Sequence, residues 1–280
     1  MGTESQVRRP AALDALPRGY AALFERAASV LAADPRVRAV WVSGSLARGD
    51  ADAFSDLDLL VAVADAEFDS FAASWRSWLA QITPTVLARE IPFLRGSLYS
   101  LTPDCERLDV VLERVSALAV SPFRTREVVF DRDGLDARVP KPAPASGPDR
   151  AKLASAIEEP LRYLALLPAV LGRGELLLAQ EAFGHLRRRI SELFLEANAP
   201  LPTTGAKHWR DKLSAEQYAV LESLPWPEAT REALVEAHLA AGRALLAHGR
   251  PIASKLGVSW PEPLERAVRE YLLRELGVSL

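Results

Sequence analysis

The sequence predicts a mixed α/β fold of the α+β class, in which a mixed β-sheet with flanking helices is followed by an α-helical bundle. Short apolar runs with strand-like patterns alternate with helical stretches over residues 1–140, whereas residues 141–280 are helical in pattern almost throughout. A proline-rich segment, residues 141–148 (KPAPASGP), lies between the two halves and is typical of a linker. We therefore predict one domain over residues 1–140 and a second over residues 141–280.

The elements of the first half follow from apolar periodicity and from turn residues. The run at residues 57–63 is apolar on both faces, which indicates a strand in the centre of its sheet. The run at 107–113 alternates apolar and polar residues, as a half-buried strand does, and 128–130 is predicted to be a short edge strand. In order, we predict a helix over 10–33, strands at 37–42 and 57–63, a helix over 65–82, and strands at 85–89, 98–101, 107–113 and 128–130.

The second half is predicted to contain helices separated by short breaks with proline and glycine, an arrangement typical of a bundle. Pro160 and Pro168 are expected to kink or break the first of these helices, because proline lacks the backbone N–H that the helix interior requires. The predicted helices cover residues 149–171, 174–197, 214–223, 228–249 and 262–276.

Bulk composition excludes several classes of function. The net charge of −3 and the pI of about 5.9 give no overall attraction to nucleic acid. No stretch of 18 uncharged apolar residues is present, so we expect no membrane partner, and the N-terminal residues do not resemble a signal peptide. The single cysteine, Cys105, cannot form an intramolecular disulfide, which fits the cytoplasm. The oligomeric state stays open.

The most informative motif joins a Gly-Ser turn to two aspartates. The strand at 37–42 leads into Gly44 and Ser45, and Asp56 and Asp58 open the next strand. Strand side chains alternate, so both carboxylates point to the same side, about 6–7 Å apart along the strand, close enough to share Mg²⁺. The turn would present backbone N–H groups to a phosphate. A phosphate-binding turn beside paired carboxylates indicates phosphoryl or nucleotidyl transfer.

A third acid, Asp109, lies on the later strand and points away from its apolar neighbours. If that strand pairs with the first, three carboxylates come together, which is costly unless a cation neutralises them. Carboxylates without histidine or cysteine favour Mg²⁺ over zinc. Asp109 is also the best candidate to accept a proton from an attacking hydroxyl, with Glu90 as an alternative base.

Together, Gly44, Ser45, Asp56, Asp58 and Asp109 resemble the signature of the DNA polymerase β superfamily of nucleotidyltransferases, over residues 36–113. The catalytic half first and the helical half second resemble the bacterial antibiotic nucleotidyltransferases, which act on aminoglycosides or lincosamides. This resemblance implies a nucleotidyltransferase fold, Mg²⁺ with ATP or another nucleoside triphosphate, and transfer of a nucleoside monophosphate, AMP if the donor is ATP, to a hydroxyl of a small molecule. The signature does not name the acceptor.

Further residues are candidates with open alternatives. Arg48 and Lys207 could bind the triphosphate, and the alternative for Arg48 is a solvated loop residue. Glu181, His185 and Arg188 share one helix face that could contact nucleotide or acceptor, or could face solvent. Two other functions are weighed: modification of a protein or an RNA end, and a non-catalytic nucleotide-binding regulator. The acidic pI disfavours RNA, and the presence of all three acids disfavours the regulator.

Overall fold

The structure, a computed structural model, describes residues 7–205 and 207–280. These residues form two compact units. The first contains the described residues up to Pro144 together with Thr203–Gly205, and the second contains Ala145–Pro202 and the described residues from 207 onward. A mixed sheet in the first unit and helices in the second confirm the predicted fold class.

The first unit is built on a mixed sheet of six strands within the described residues, in the order β3-β4-β5-β2-β1-β6. Strands β2 and β5 pair in parallel and all other neighbours are antiparallel. As predicted, β2 is central and β6 lies at an edge. The strands are β1 (Val37–Val42), β2 (Leu57–Val63), β3 (Leu87–Glu90), β4 (Ser97–Leu101), β5 (Arg107–Arg114) and β6 (Glu127–Asp131).

The helices of the first unit are shorter than the sequence predicts. The prediction of one helix over 10–33 is wrong at its start, because the α-helix begins after Pro17 and only a 3-10 turn precedes it. The predicted helix over 65–82 is interrupted at Ser74, whose hydroxyl donates to the Phe71 carbonyl and competes with the helix backbone. The α-helices are α1 (Arg18–Ala33), α2 (Gly44–Arg48), α3 (Phe68–Ala73) and α4 (Trp75–Ile82).

The two faces of the sheet differ in how they are covered. On one face, Leu57, Leu59 and Val61 of β2 belong to the main core of the unit, with residues of α1, α3 and α4. On the other face, Leu60 and Ala62 belong to a smaller apolar cluster. Because side chains alternate along a strand, Asp58 lies on this second face, before the residues that the smaller cluster buries. On this second face, the start of β2 therefore carries a polar side chain, Asp58, whereas Leu57 is buried on the first face.

The second unit consists of helices with a core of its own. The sequence predicts that Pro160 and Pro168 kink or break its first helix, and a break is wrong: the helix continues through both prolines, and a later helix continues through Pro251. Pro160 and Pro168 are both buried, so core packing offsets the hydrogen bonds that they cannot make. The helices are α5 (Arg150–Gly172), α6 (Leu176–Ala197), α7 (Ala215–Ser223), α8 (Arg231–Leu256) and α9 (Glu262–Leu276).

Several helix ends in the second unit carry conventional caps. Ser214 and Gln217 form a capping box at the start of α7, and Thr230 caps α8. Gly257 and Gly277 end α8 and α9 in the left-handed conformation that glycine adopts at little cost. Among the described residues, no helix combines the length and apolar character that crossing a membrane requires.

Candidate active site

The parallel pairing of β2 and β5 brings three acids together. The register places Asp58 directly opposite Asp109, and Asp56 lies immediately before β2. One carboxylate oxygen of each residue lies within 4.8 Å of the others. All three side chains are half-buried, and they form the only acidic, histidine or cysteine cluster with metal-binding spacing in the part of the chain that the structure describes. The predicted cluster is therefore present as a geometric arrangement.

Gly44 lies directly against this cluster. The backbone N–H of Ser43 donates to the Asp58 carbonyl at 3.0 Å, which extends the β1–β2 pairing to the turn. Gly44 has a φ of +59°, and a Cβ added there would lie 1.9 Å from Oδ2 of Asp58. Only glycine fits both the left-handed backbone and the close approach of the carboxylate. The turn and the acids therefore form one packed unit.

Ser45 presents a buried hydroxyl beside the acids. Its side chain is 8% exposed, and its Oγ has no hydrogen-bond partner. A buried polar group without a partner is costly, so native proteins seldom keep one without a reason. A ligand with acceptor oxygens would satisfy this hydroxyl. The observation is consistent with the predicted phosphate contact at Ser45.

Arg48 lies at the end of α2 and is held in place. Its Nε donates to Oδ1 of Asp50 at 3.1 Å, and Oδ2 of Asp50 accepts the Gly205 N–H at 3.2 Å. The Arg48 side chain is 23% exposed, so it is not a fully solvated loop residue. Its positive charge also lowers the pKa of Asp58 relative to what burial alone would give. Its predicted contact with a triphosphate stays a prediction.

Arg107 is a residue of the site that our sequence analysis missed. Its Nη2 lies 2.9 Å from Oδ2 of Asp56 and 3.3 Å from the Phe54 carbonyl, to which it donates. Its backbone N–H donates to the Tyr20 hydroxyl at 2.9 Å. Arg107 precedes Asp109 by two positions on a strand, so the alternation of side chains already places both on one face. That alternation was the signal that could have identified it.

The electrostatics of the cluster favour a bound cation. Burial raises the pKa of Asp58 to about 6, and the neighbouring charges of Asp56 and Asp109 contribute to the same increase. Arg48 and Arg107 act in the opposite direction but do not cancel it. A divalent cation would remove the penalty of holding three carboxylates together. Carboxylate oxygens are the ligands that Mg²⁺ prefers, so the donor set fits this ion.

The alternative base, Glu90, does not lie with the cluster. Glu90 pairs with Leu98, and Leu98 pairs with Val110, so these three side chains lie on one face of the sheet. Asp109 precedes Val110 in β5, and its side chain therefore lies on the opposite face. The Glu90 carboxylate accepts the Gly96 N–H at 2.7 Å and thereby stabilises the β3–β4 turn. This arrangement favours Asp109 as the base.

The candidates in the second unit have local contacts of their own. Lys207 is exposed, and it is a residue of the second unit. Arg188 donates to Glu192 at 3.1 Å, and His185 stacks on Tyr163 with ring centroids 6.0 Å apart. The face of α6 that carries Glu181, His185 and Arg188 is exposed within this unit. Roles for these residues in binding stay predictions.

Several solved structures are similar to this chain at low sequence identity. An aminoglycoside 6-adenyltransferase from Bacillus subtilis is 14% identical with a TM-score of 0.45, over 92% of this chain and 97% of that one. A nucleotidyltransferase-like protein from Exiguobacterium sibiricum is 14% identical with a TM-score of 0.34, over 92% and 88%. The CdnE cyclic dinucleotide synthase of Elizabethkingia meningoseptica is 11% identical with a TM-score of 0.28, over 91% of each chain.

The family comparison covers almost the whole chain. No curated protein matches the sequence significantly. The family model described as streptomycin adenylyltransferase matches residues 18–275. This match confirms the predicted resemblance to antibiotic nucleotidyltransferases. The chain therefore belongs to the streptomycin adenylyltransferase family and is a nucleotidyltransferase.

Proposed function

We propose that this chain is a Mg²⁺-dependent adenylyltransferase that moves AMP from ATP to a hydroxyl of an aminoglycoside. The observation that carries the proposal is the cluster of Asp56, Asp58 and Asp109 packed against Gly44 and Ser45. The name of the matched family supports this class of acceptor, because streptomycin is an aminoglycoside. Lincosamides are the second class of acceptor to test.

In this proposal the three acids share two tasks, binding the metal and accepting a proton. Asp56 and Asp58 hold the metal, and Asp109 completes the site. Bound Mg²⁺ would supply charge neutralisation at the α-phosphate and for the departing pyrophosphate. Asp109 accepts the proton of the attacking hydroxyl, because its carboxylate is in the cluster and Glu90 faces the other side of the sheet. In this proposal, residues 1–140 form the catalytic domain, and residues 141–280 form a domain that binds substrate or nucleotide.

In this proposal the turn and α2 supply the first phosphate ligands. The unpartnered Oγ of Ser45 donates to a phosphate oxygen, and Gly44 allows the close backbone approach. Arg48 adds a guanidinium, which suits phosphate geometry. Lys207 is proposed as a further triphosphate ligand. We propose that the protein acts in the cytoplasm, where ATP is present as a co-substrate.

The decisive experiment measures transfer. Purified protein, ATP and Mg²⁺ are incubated with a panel of aminoglycosides and lincosamides, and pyrophosphate release is followed together with the mass of the acceptor. We expect release with at least one aminoglycoside and a mass increase of one AMP group. The Asp58→Asn variant is the matched control, and it should release none. Absence of turnover with every acceptor, combined with absence of ATP binding, would refute the proposal.

A second incubation tests the acceptor class. Protein and labelled ATP are mixed with a cell lysate, and the label is separated into small molecules, protein and RNA. Label on small molecules alone is the expected result when an aminoglycoside is added. Label on protein or RNA would instead favour the macromolecular acceptor.

A further inference from the structure

Two cross-strand pairs lie side by side at the start of β2 and β5. In the second pair Asp58 faces Asp109. In the first, Asp56 and Arg107 are opposite each other by extension of the same register, and their side chains form an ion pair of 2.9 Å. The two side chains are 20% and 36% exposed, respectively. One of the three acids of the cluster is thus already occupied by a cation that belongs to the protein.

This ion pair opposes a divalent cation at the same carboxylate. A carboxylate-bound Mg²⁺ lies about 2.1 Å from its oxygen ligand. A guanidinium bonded to Oδ2 of Asp56 would therefore stand within a few ångströms of the metal, where like charges repel. Binding of the metal requires Arg107 to leave Asp56 or to accept that repulsion. Either way, the arginine lowers the affinity of the metal site.

Arg107 is placed so that its side chain can move while its backbone stays fixed. Its backbone N–H is bonded to the Tyr20 hydroxyl and belongs to β5. Its side chain is more than a third exposed, and beyond the pair with Asp56 it donates to the carbonyl of exposed Phe54. Arg126 offers a contrast, because its side chain is 8% exposed and bonded to Asp136 and to several carbonyls.

We propose that Arg107 is a positioning residue that occupies Asp56 until the metal arrives together with a nucleoside triphosphate. The triphosphate offers the displaced guanidinium a new anionic partner, since guanidinium groups bind phosphate well. Metal and nucleotide then favour each other's binding, and the metal alone binds weakly. This inference rests on the proposed function, because it assumes that the cluster of acids is the metal site.

The test measures two affinities in Arg107→Gln. Mn²⁺ binding to the nucleotide-free protein is followed by electron paramagnetic resonance, and binding of a non-hydrolysable ATP analogue is measured at saturating Mn²⁺. We expect Arg107→Gln to bind Mn²⁺ about five- to tenfold more tightly, the scale of a partly exposed charged hydrogen bond. We expect the same variant to bind the analogue about tenfold more weakly. Loss of a merely structural contact would weaken both.

Two further variants serve as controls. Arg114, at the other end of β5, pairs with Asp69 at 2.9 Å and is 37% exposed, which closely matches Arg107. Arg114→Gln should leave both affinities at wild-type values. Arg107→Lys keeps the positive charge, so its Mn²⁺ affinity should return toward that of the wild type. If Arg107→Gln fails to fold, Arg107→Met, which keeps a long side chain without the charge, takes its place with the same expected results.

The outcomes separate this inference from the proposed function. Mn²⁺ affinity that is unchanged or weaker in Arg107→Gln would overturn the inference and leave the metal site in place. Absence of Mn²⁺ binding in the wild type and in the variant, with and without the analogue, would overturn the metal site itself. Tighter Mn²⁺ binding with weaker analogue binding would support the competition at Asp56.

Discussion

The substitution Asp58→Asn should stabilise the protein at neutral pH in the absence of metal. Burial and the charges of Asp56 and Asp109 raise the pKa of Asp58 from 3.8 to about 6. At 1.36 kcal/mol per pH unit, this difference corresponds to about 3 kcal/mol of destabilisation in the ionised state. Asparagine removes the charge and retains a similar shape. We therefore expect the free energy of unfolding to increase by about 2–3 kcal/mol at pH 7.5.

The sign of the pH dependence follows from proton binding. Between about pH 4 and pH 6, folded Asp58 holds a proton that the unfolded chain has lost, so the wild type loses stability as pH rises through this window. The Asn variant lacks this loss. The advantage of the variant should therefore be small near pH 4 and complete above about pH 6.5, because both forms are neutral at position 58 at the lower pH.

The assay is urea unfolding in EDTA at pH 4.5 and pH 7.5, monitored by circular dichroism, with pyrophosphate release measured in parallel. Asp133→Asn provides a control of opposite sign, since the Arg38 guanidinium lowers the pKa of Asp133 and the loss of that pair should destabilise the protein at pH 7.5. A less stable Asp58→Asn protein, or a gain that is equal at both pH values, would refute the electrostatic account of the cluster.

Three further predictions concern the neighbours of Asp58. Gly44→Ala should lower the unfolding midpoint more than Gly49→Ala, since both glycines have positive φ but only Gly44 would place a Cβ against Asp58; thermal unfolding of the two variants compares them. Ser45→Ala should raise the KM for ATP about tenfold without loss of stability, because its buried Oγ has no partner to lose; steady-state kinetics and urea unfolding check both. Asp109→Asn should lower kcat at least about 100-fold while the folded structure persists, as expected on removal of a general base, and wild-type kcat would contradict that role.

The sequence predicts strands better than helix interruptions in this chain, for physical reasons. Strands β1 and β2 have the predicted ends, since each is an apolar run bounded by residues that favour turns. The prolines of α5 mislead, because their effect on a helix depends on tertiary packing that a single sequence does not show. Ser74 misleads in the opposite direction, since its interruption of the helix depends on one local hydrogen bond.

Some features of the site follow from the periodicity of side chains along a strand, whereas others depend on the register between paired strands. Periodicity alone assigns Asp56 and Asp58 to one face of β2, and Asp109 to one face of β5. It does not say which residue of β5 lies opposite which residue of β2. The ion pair between Asp56 and Arg107 depends on that register, and the approach of Gly44 to Asp58 depends on the pairing of β1 with β2. Contacts of this kind require the pairing of strands that are distant in sequence.

The arrangement of charges around the three acids is suited to reversible binding of a cation. Each of the two arginines near the cluster is bonded to a carboxylate: Arg107 to Asp56, and Arg48 to Asp50, which is not one of the three acids. These cations reduce the repulsion at Asp58 but leave its pKa well above the usual range. A fold that paired all three acids with fixed arginines would bind a divalent cation more weakly, because each carboxylate would already have a positive partner. The negative charge that remains uncompensated at Asp58 would therefore favour reversible binding of a divalent cation.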